Sequence, residues 1–375
     1  MKKLLLVTRN FPPLAGGMEG LNLHLAAELS RYCEVRVVAP EGAAIHAMDK
    51  FLVREVRVRP LSRFLLAAAW RTLREARGWR PDVVLAGSGL TAPIALTAAR
   101  VCGARAAAYV HGLDVAVPHP VYRALWHPAL RRLDIVIANS QATARLADAA
   151  GIVPSRVEIV HPGVSLPMPD SGARERFRQL HRLGDASVLL SVGRLTTRKG
   201  LREFVADVLP KIVACRPTVR LLIVGDAPTH SLYAECQSPE SILAAARAAG
   251  VGEHLLFLGW IADERQLADA YAGADLHVFP VRHLPGDPEG FGMVAVEAAA
   301  QGLATVAYAT GGVVDAVGEG VSGRLVAPGD DEAFARAALD LLENRLPADR
   351  VRQFAMQFAW PRFGEKLWAG LERQT

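Results

Sequence analysis

The chain is poor in cysteine and in features that would mark a membrane, metal or secreted protein. Its four cysteines, Cys33, Cys102, Cys215 and Cys236, are widely scattered among 375 residues and form no Cys-x-x-Cys pair. That spacing excludes a zinc ribbon or a disulfide framework and fits reduced thiols packed as small apolar groups in a cytoplasmic protein. No apolar run approaches the roughly 18 residues needed to span a bilayer. The run Leu4 to Val7 ends at Thr8-Arg9-Asn10, too soon for a signal peptide. No Asp-x-Asp pair, Walker loop or Tyr-x-x-x-Lys pair occurs, and the nearest acidic pair, Asp287-Pro288-Glu289, reads as a turn.

What is present is apolar substance. Hydrophobic residues make up 51% and charged residues only 22%, enough for two cores, and the length also favours two domains. Charge is uneven: residues 1 to 165 hold 21 Lys+Arg against 12 Asp+Glu, a balance of +9. Subtracting from the totals of 43 and 38 leaves 22 against 26, or −4, for the remainder. Much of the excess lies in the stretch Arg54 to Arg80, where arginines alternate with Phe64, Leu65, Leu66, Trp70, Leu73 and Trp79. Residues 62 to 78 read as a helix with Leu66, Trp70 and Leu73 on one side, which either rests on an anionic membrane or packs on its own domain. The acidic second half and the lack of a recognisable binding module argue against nucleic acid.

Short apolar strands alternate with helical stretches along the whole chain, the pattern of parallel sheets covered on both faces. Strands are expected at 4–7, 35–38, 53–58, 82–85, 105–110, 135–138 and 157–160. The Pro/Gly-rich segment 166–172 then reads as a linker. A second series follows at 187–192, 221–224, 255–258, 275–279, 304–308 and 323–326. The fold class is therefore α/β, two Rossmann-like domains facing across a cleft: 1–165, the linker 166–172, and 173–355, with a final helix in 356–375. Ligands are expected at the carboxyl ends of the strands, in that cleft.

Three stretches carry candidate chemistry. Pro288 to Gly302 passes from a Gly-rich turn into strong helix formers, so free N–H groups at the helix start form a potential anion site, with Glu289 before the helix and Glu297 inside it. Two carboxylates so spaced address different parts of one elongated ligand. The loop Ala15-Gly16-Gly17-Met18-Glu19-Gly20 lets backbone approach a phosphate, although Ala15 spoils it as a dinucleotide motif. Gly193-Arg194 with Lys199-Gly200, directly after a strand, supplies cations for a diphosphate without a metal.

Taken with Phe11-Pro12-Pro13, His111-Gly112-Leu113-Asp114, Asn139-Ser140, His161-Pro162-Gly163-Val164 and Val224-Gly225, these motifs resemble, in order and over nearly the whole chain, the retaining GT-B glycosyltransferases of glycosyltransferase family 4. The resemblance implies that Gly16 and Gly17 face a nucleotide-sugar donor and that Arg194 and Lys199 hold its diphosphate. It further implies that Glu289, with the N–H groups of Phe291 and Gly292, binds the sugar, that Glu297 binds the ribose, and that Gly225, Trp260 and Ile261 border the base. His111 is placed near the reacting centre, and Asp114 either orients His111 or meets the acceptor. The end of the chain, from Phe358 to Leu371, resembles the family's last helix, which returns to the N-terminal domain. No cofactor is implied.

The insertion His283 to Pro288 resembles the GDP-mannose-dependent branch acting on lipid acceptors. A GDP-sugar carrying mannose or rhamnose is therefore the favoured donor, with a lipid-linked saccharide or glycolipid acceptor at the inner face of the cytoplasmic membrane. A UDP-sugar transferase is the alternative. A nucleotide-sugar epimerase and a silent sugar-nucleotide sensor are rivals from other classes.

Overall fold

A computed structural model describes residues 1–47, 49–168, 170–227 and 236–373. Pro169 of the expected linker and residues 374–375 of the expected final helix lie outside the described residues. The chain divides into two compact units, Met1–Gly163 with Phe358–Thr375, and Val164–Gln357.

The first unit is built on seven strands: β1 (Lys3–Val7), β2 (Glu34–Pro40), β3 (Leu52–Val56), β4 (Val83–Ala86), β5 (Arg105–Val110), β6 (Ile135–Ala138) and β7 (Val157–Ile159). They lie in the order β3-β2-β1-β4-β5-β6-β7, and every pairing is parallel. β4 and β6 are buried along their whole length, as apolar strands covered by helices on both faces must be. The order reverses between β1 and β4, the switch point where such sheets open a crevice at their carboxyl ends.

The helix Leu61–Trp79 covers one face of this sheet with Phe64, Ala68, Thr72, Ala76 and Trp79. The stripe read from the sequence divides. Leu73 packs against the core, but Leu66 and Trp70 are 73% and 58% exposed. Ala68, Ala69 and Ala76 let the helix seat closely on the other edge of its surface, leaving the two larger residues outside. The helix Trp360–Glu372 covers the opposite face, where Trp360 stacks on His24 at 3.9 Å and Phe363, Leu367 and Leu371 are buried. A side chain on Gly163 would collide with the Trp360 ring, which ties the glycine of His161-Pro162-Gly163 to packing.

The second unit repeats the plan with β8 (Val188–Val192), β9 (Arg220–Val224), β10 (Leu255–Gly259), β11 (Leu276–Phe279), β12 (Thr305–Tyr308) and β13 (Gly323–Val326). Their order is β10-β9-β8-β11-β12-β13, again all parallel, with the reversal between β8 and β11. The helix expected over 201–214 is interrupted by a π turn at Phe204–Val208 before Pro210, whose missing N–H breaks the regular ladder. A further helix, Ala348–Ala355, packs against the helix Met293–Ala300.

Candidate active site

In the second unit, the loops leaving β8 and β11 at the switch point carry the charged groups. β8 runs into Gly193, whose N–H donates to the Val224 carbonyl at 2.9 Å. A Cβ on Gly225 would stand 2.0 Å from the Gly193 carbonyl oxygen, so the glycine of Val224-Gly225 is demanded by backbone against backbone. A short turn, Thr197–Lys199, then presents Arg198 and Lys199 toward the turn that precedes the helix Met293–Ala300.

There Glu289 Oε2 accepts from Lys199 Nζ at 2.8 Å and from Arg198 Nε at 3.1 Å. Arg198 also pairs through Nη1 with Asp287. Burial alone would raise the Glu289 pKa, but Lys199 and Arg198 overcome it and bring the carboxyl down to about 2. Burial lowers the Lys199 pKa, against the pull of Glu289. The turn is fixed from below by Gly312, whose N–H donates to the Glu289 carbonyl at 2.9 Å; a Cβ there would lie 2.0 Å from the Gly290 carbonyl oxygen. Gly292, at φ 95°, caps the helix without a side-chain hydrogen bond, and Phe291 beside it is buried.

Arg194 stands apart from this cluster. It is exposed and makes no side-chain hydrogen bond or ion pair among the described residues, although its charge still acts on Glu289 and Lys199. Glu297, inside the helix, accepts from the Tyr271 hydroxyl at 3.2 Å, and burial raises its pKa. Trp260 is 54% exposed just beyond β10, its backbone N–H bound to Asp226 Oδ2 at 3.0 Å, while Ile261 packs against the core. Gly225 N–H donates to the Gly259 carbonyl at 2.8 Å, which joins these two loops.

In the first unit, the loops after β1, β4 and β5 form the corresponding edge. Gly16 caps the helix Gly17–Leu29. The Glu19 side chain folds back over it: Oε1 accepts from Asn10 Nδ2 at 2.8 Å, and Oε2 is 2.4 Å from where a Gly16 Cβ would be. The positive end of this helix therefore already faces a carboxylate. His111, 8% exposed, holds Nε2 3.0 Å from the Gly87 carbonyl oxygen. That oxygen can only accept, so Nε2 carries a proton and donates it. Asp114 Oδ2 accepts from the His111 backbone N–H at 3.1 Å, which fixes the turn after β5 rather than the imidazole.

Within the second unit the fold thus brings Lys199, Glu289, Phe291 and Gly292 to one edge, with Arg194 on the same loop as Lys199. Within the first it brings Gly16, Gly17, His111 and Asp114 to the loops that follow β1 and β5, the strands on either side of β4. Sequence reasoning passed over Arg198, Asp287, Tyr271 and Glu19. Arg198 sat in plain view beside Lys199, but no periodicity in a three-residue turn tells which cation faces inward. Among the described residues no three His, Cys, Asp or Glu side chains gather as a metal site, and no helix is long and apolar enough to cross a membrane.

Comparison with known proteins identifies the family. The sequence profile for Glycosyl transferases group 1 matches residues 186–344, and that for Glycosyltransferase Family 4 matches residues 15–166. The chain is 33% identical to the GDP-mannose-dependent alpha-(1-6)-phosphatidylinositol monomannoside mannosyltransferase of Mycolicibacterium smegmatis, over 95% of this chain and 92% of the relative. It is 32% identical to the D-inositol 3-phosphate glycosyltransferase of the same organism, over 79% and 64%. Among solved structures, Anabaena Alr3699/HepE in complex with UDP-glucose superposes with a TM-score of 0.81 at 22% identity, covering 99% of both chains. The chain therefore belongs to the retaining glycosyltransferases of family 4, enzymes of the GT-B fold.

Proposed function

We propose that this glycosyltransferase moves a hexose, mannose or rhamnose, from a GDP-sugar to a hydroxyl of a lipid-linked saccharide or glycolipid acceptor. The observation that carries the donor half is the Lys199–Glu289 pair at the carboxyl edge of the second sheet, with the unpartnered cation of Arg194 on the same loop. A nucleoside diphosphate supplies the negative charge that Arg194 lacks and competes with Glu289 for Lys199, and Glu289 then accepts from sugar hydroxyls. The choice of guanosine and of a lipid acceptor rests on the relative whose name specifies GDP-mannose and a phosphatidylinositol mannoside. A UDP-sugar remains the second reading, since the aligned HepE structure holds UDP-glucose.

In this reading the bond from the anomeric carbon to the diphosphate breaks while the acceptor oxygen attacks from the same face. The departing phosphate oxygen takes the acceptor's proton, and Arg194 and Lys199 offset the charge it acquires, without a metal. His111 positions the sugar, and Asp114 holds the His111 turn. Gly16 and Gly17 face the donor, Glu297 takes the ribose, and Gly225, Trp260 and Ile261 border the base.

The exposed Leu66 and Trp70 support peripheral attachment to an anionic membrane. Arg71 and Arg74 each lie 5.5 Å from the Trp70 ring, so an apolar anchor is flanked by cations, the combination that suits a charged lipid surface. The test of the whole reading is a panel of GDP- and UDP-sugars offered with and without phosphoinositide or polyprenyl acceptors. Release of GDP together with a glycosylated lipid is expected. Release of UDP alone selects the second reading, donor conversion without release points to an epimerase, and binding without either marks a sensor.

A further inference from the structure

Two cations meet a single oxygen of Glu289, and they are held there very differently. Arg198 is 11% exposed along its side chain and spans two carboxylates, Nε on Glu289 Oε2 and Nη1 on Asp287, with Nη1 also 3.4 Å from the Pro288 carbonyl. Its backbone is pinned as well, since Arg282 N–H donates to the Arg198 carbonyl at 2.8 Å. Lys199 reaches Glu289 through one ammonium on a flexible stem. That stem passes Gly193, where a Cβ would be 3.7 Å from Lys199 Cε, and the ammonium lies over the Phe279 ring, 4.6 Å from its centroid.

Charge counting makes the difference matter. Arg198 and Lys199 balance Asp287 and Glu289 while no donor is bound. A diphosphate that draws Lys199 away removes one of the two cations on Glu289, and a buried carboxylate left without a countercharge protonates or swings out. Arg198 cannot follow Lys199 without abandoning Asp287. We propose that Arg198 is a positioning residue that keeps Glu289 ionised and aimed at the donor sugar while Lys199 moves from Glu289 to the diphosphate. The inference rests on the donor reading above and adds a division of labour between adjacent cations.

The charged groups facing Glu289 are Arg198 and Lys199, then Arg194 from the same loop, with Asp287 on its own turn. Gly311 and Gly312 pack on it through backbone alone. Removing Arg198 therefore leaves Glu289 dependent on Lys199, the cation the diphosphate draws away, whereas removing Asp287 frees Arg198 for Glu289.

The test compares the full-length protein with Arg198→Gln, Arg198→Lys, Asp287→Asn and Lys199→Gln, reading GDP affinity by calorimetry and the pH profile of kcat for GDP-mannose turnover. Arg198→Gln is expected to bind GDP within about 3-fold of the parent, to lose about 30-fold or more in kcat, and to move the acid limb up by roughly 1 pH unit. Arg198→Lys restores part of the rate, Asp287→Asn moves the limb down, and Lys199→Gln weakens GDP by more than about 10-fold. Loss of GDP affinity in Arg198→Gln as large as in Lys199→Gln overturns the proposal, because Arg198 is then a phosphate ligand. An unmoved acid limb in both Arg198→Gln and Asp287→Asn also overturns it, leaving a structural role; if Arg198→Gln does not fold, Asp287→Asn and Arg198→Lys decide. A parent that turns over no GDP- or UDP-sugar defeats the donor reading itself, and the inference with it.

Discussion

Lys199 Nζ donates to Glu289 Oε2 over 2.8 Å, and this bond joins the loop after β8 to the turn that starts the helix Met293–Ala300. The two residues are 90 positions apart in the chain, and only the β8–β11 pairing at the switch point brings their loops together. A carboxylate held near pKa 2 by two cations is ionised throughout the neutral range. Its folded pKa is depressed, so its stabilising contribution is present above the ordinary carboxylate value and is lost as the pH falls toward 2. Glu289→Ala is expected to lower both transfer and donor hydrolysis by about 100-fold or more, measured as nucleoside diphosphate release.

His111→Ala addresses the first unit. The imidazole is nearly buried and oriented by the Gly87 carbonyl, so its loss removes a placed polar group without opening a large cavity. Turnover is expected to fall by about 100-fold, with the melting temperature changed by only a few degrees. An unchanged kcat with the favoured donor would remove His111 from the reacting centre.

His277 gives the second unit a distinctive pH dependence. It is fully buried in β11, with Nδ1 3.1 Å from Thr305 Oγ1, and burial together with Lys199 brings its pKa down to about 3. The unfolded chain binds a proton near pH 6.5 and the folded chain does not, so stability rises with pH between about 3 and 6.5. From pH 7 to pH 5 this one residue costs roughly 2 kcal/mol. Unfolding by urea at both pH values is expected to show a smaller acid loss in His277→Asn than in the parent.

Asp275 precedes β11 at the opposite edge of the same sheet. Its side chain is 2% exposed and accepts from Arg174 at 2.7 Å, Arg345 at 2.6 Å and the Val188 N–H at 2.8 Å, with Arg178 at 3.4 Å. Asp275→Ala strands a half-buried arginine cluster and a strand N–H, and is expected to cost about 3 kcal/mol in chemical unfolding. GDP affinity measured well below the unfolding transition stays within about 2-fold, because the residue lies away from the loops that carry Lys199 and Glu289.

Membrane attachment has its own test. Neutralising Arg71, Arg74 and Arg77 together removes about 1 kcal/mol of lipid attraction per residue, or roughly 100-fold in partitioning to anionic vesicles. The parent is expected to release from such vesicles as salt is raised, and Trp70→Ala to bind less at every salt concentration. Unchanged sedimentation of the triple variant with vesicles would assign the Leu61–Trp79 helix to packing alone.

The alternation of short apolar runs with helical stretches was enough to read thirteen parallel strands and two Rossmann-like units, because strands buried on both faces have little choice of composition. The glycines of Gly193, Gly225 and Gly292 were legible as turn markers for the same local reason. Other features were not. Leu66 and Trp70 share a face with Leu73 in any helical projection, and which edge of that face meets the sheet depended on where the small alanines allowed close approach. Likewise the chain of residues 197–199 displays its cations without saying which of them enters the core.

What the sequence by itself determined is the two series of parallel strands and the family, since these follow from periodicity and from motifs local in the chain. What only tertiary structure decided is the partnership of charges: Arg198 on Asp287 and Glu289, Tyr271 on Glu297, Asn10 on Glu19. The physical reason is that an ion pair is worth having only where burial and geometry place both groups, and that placement is made by strands and loops far apart in the chain.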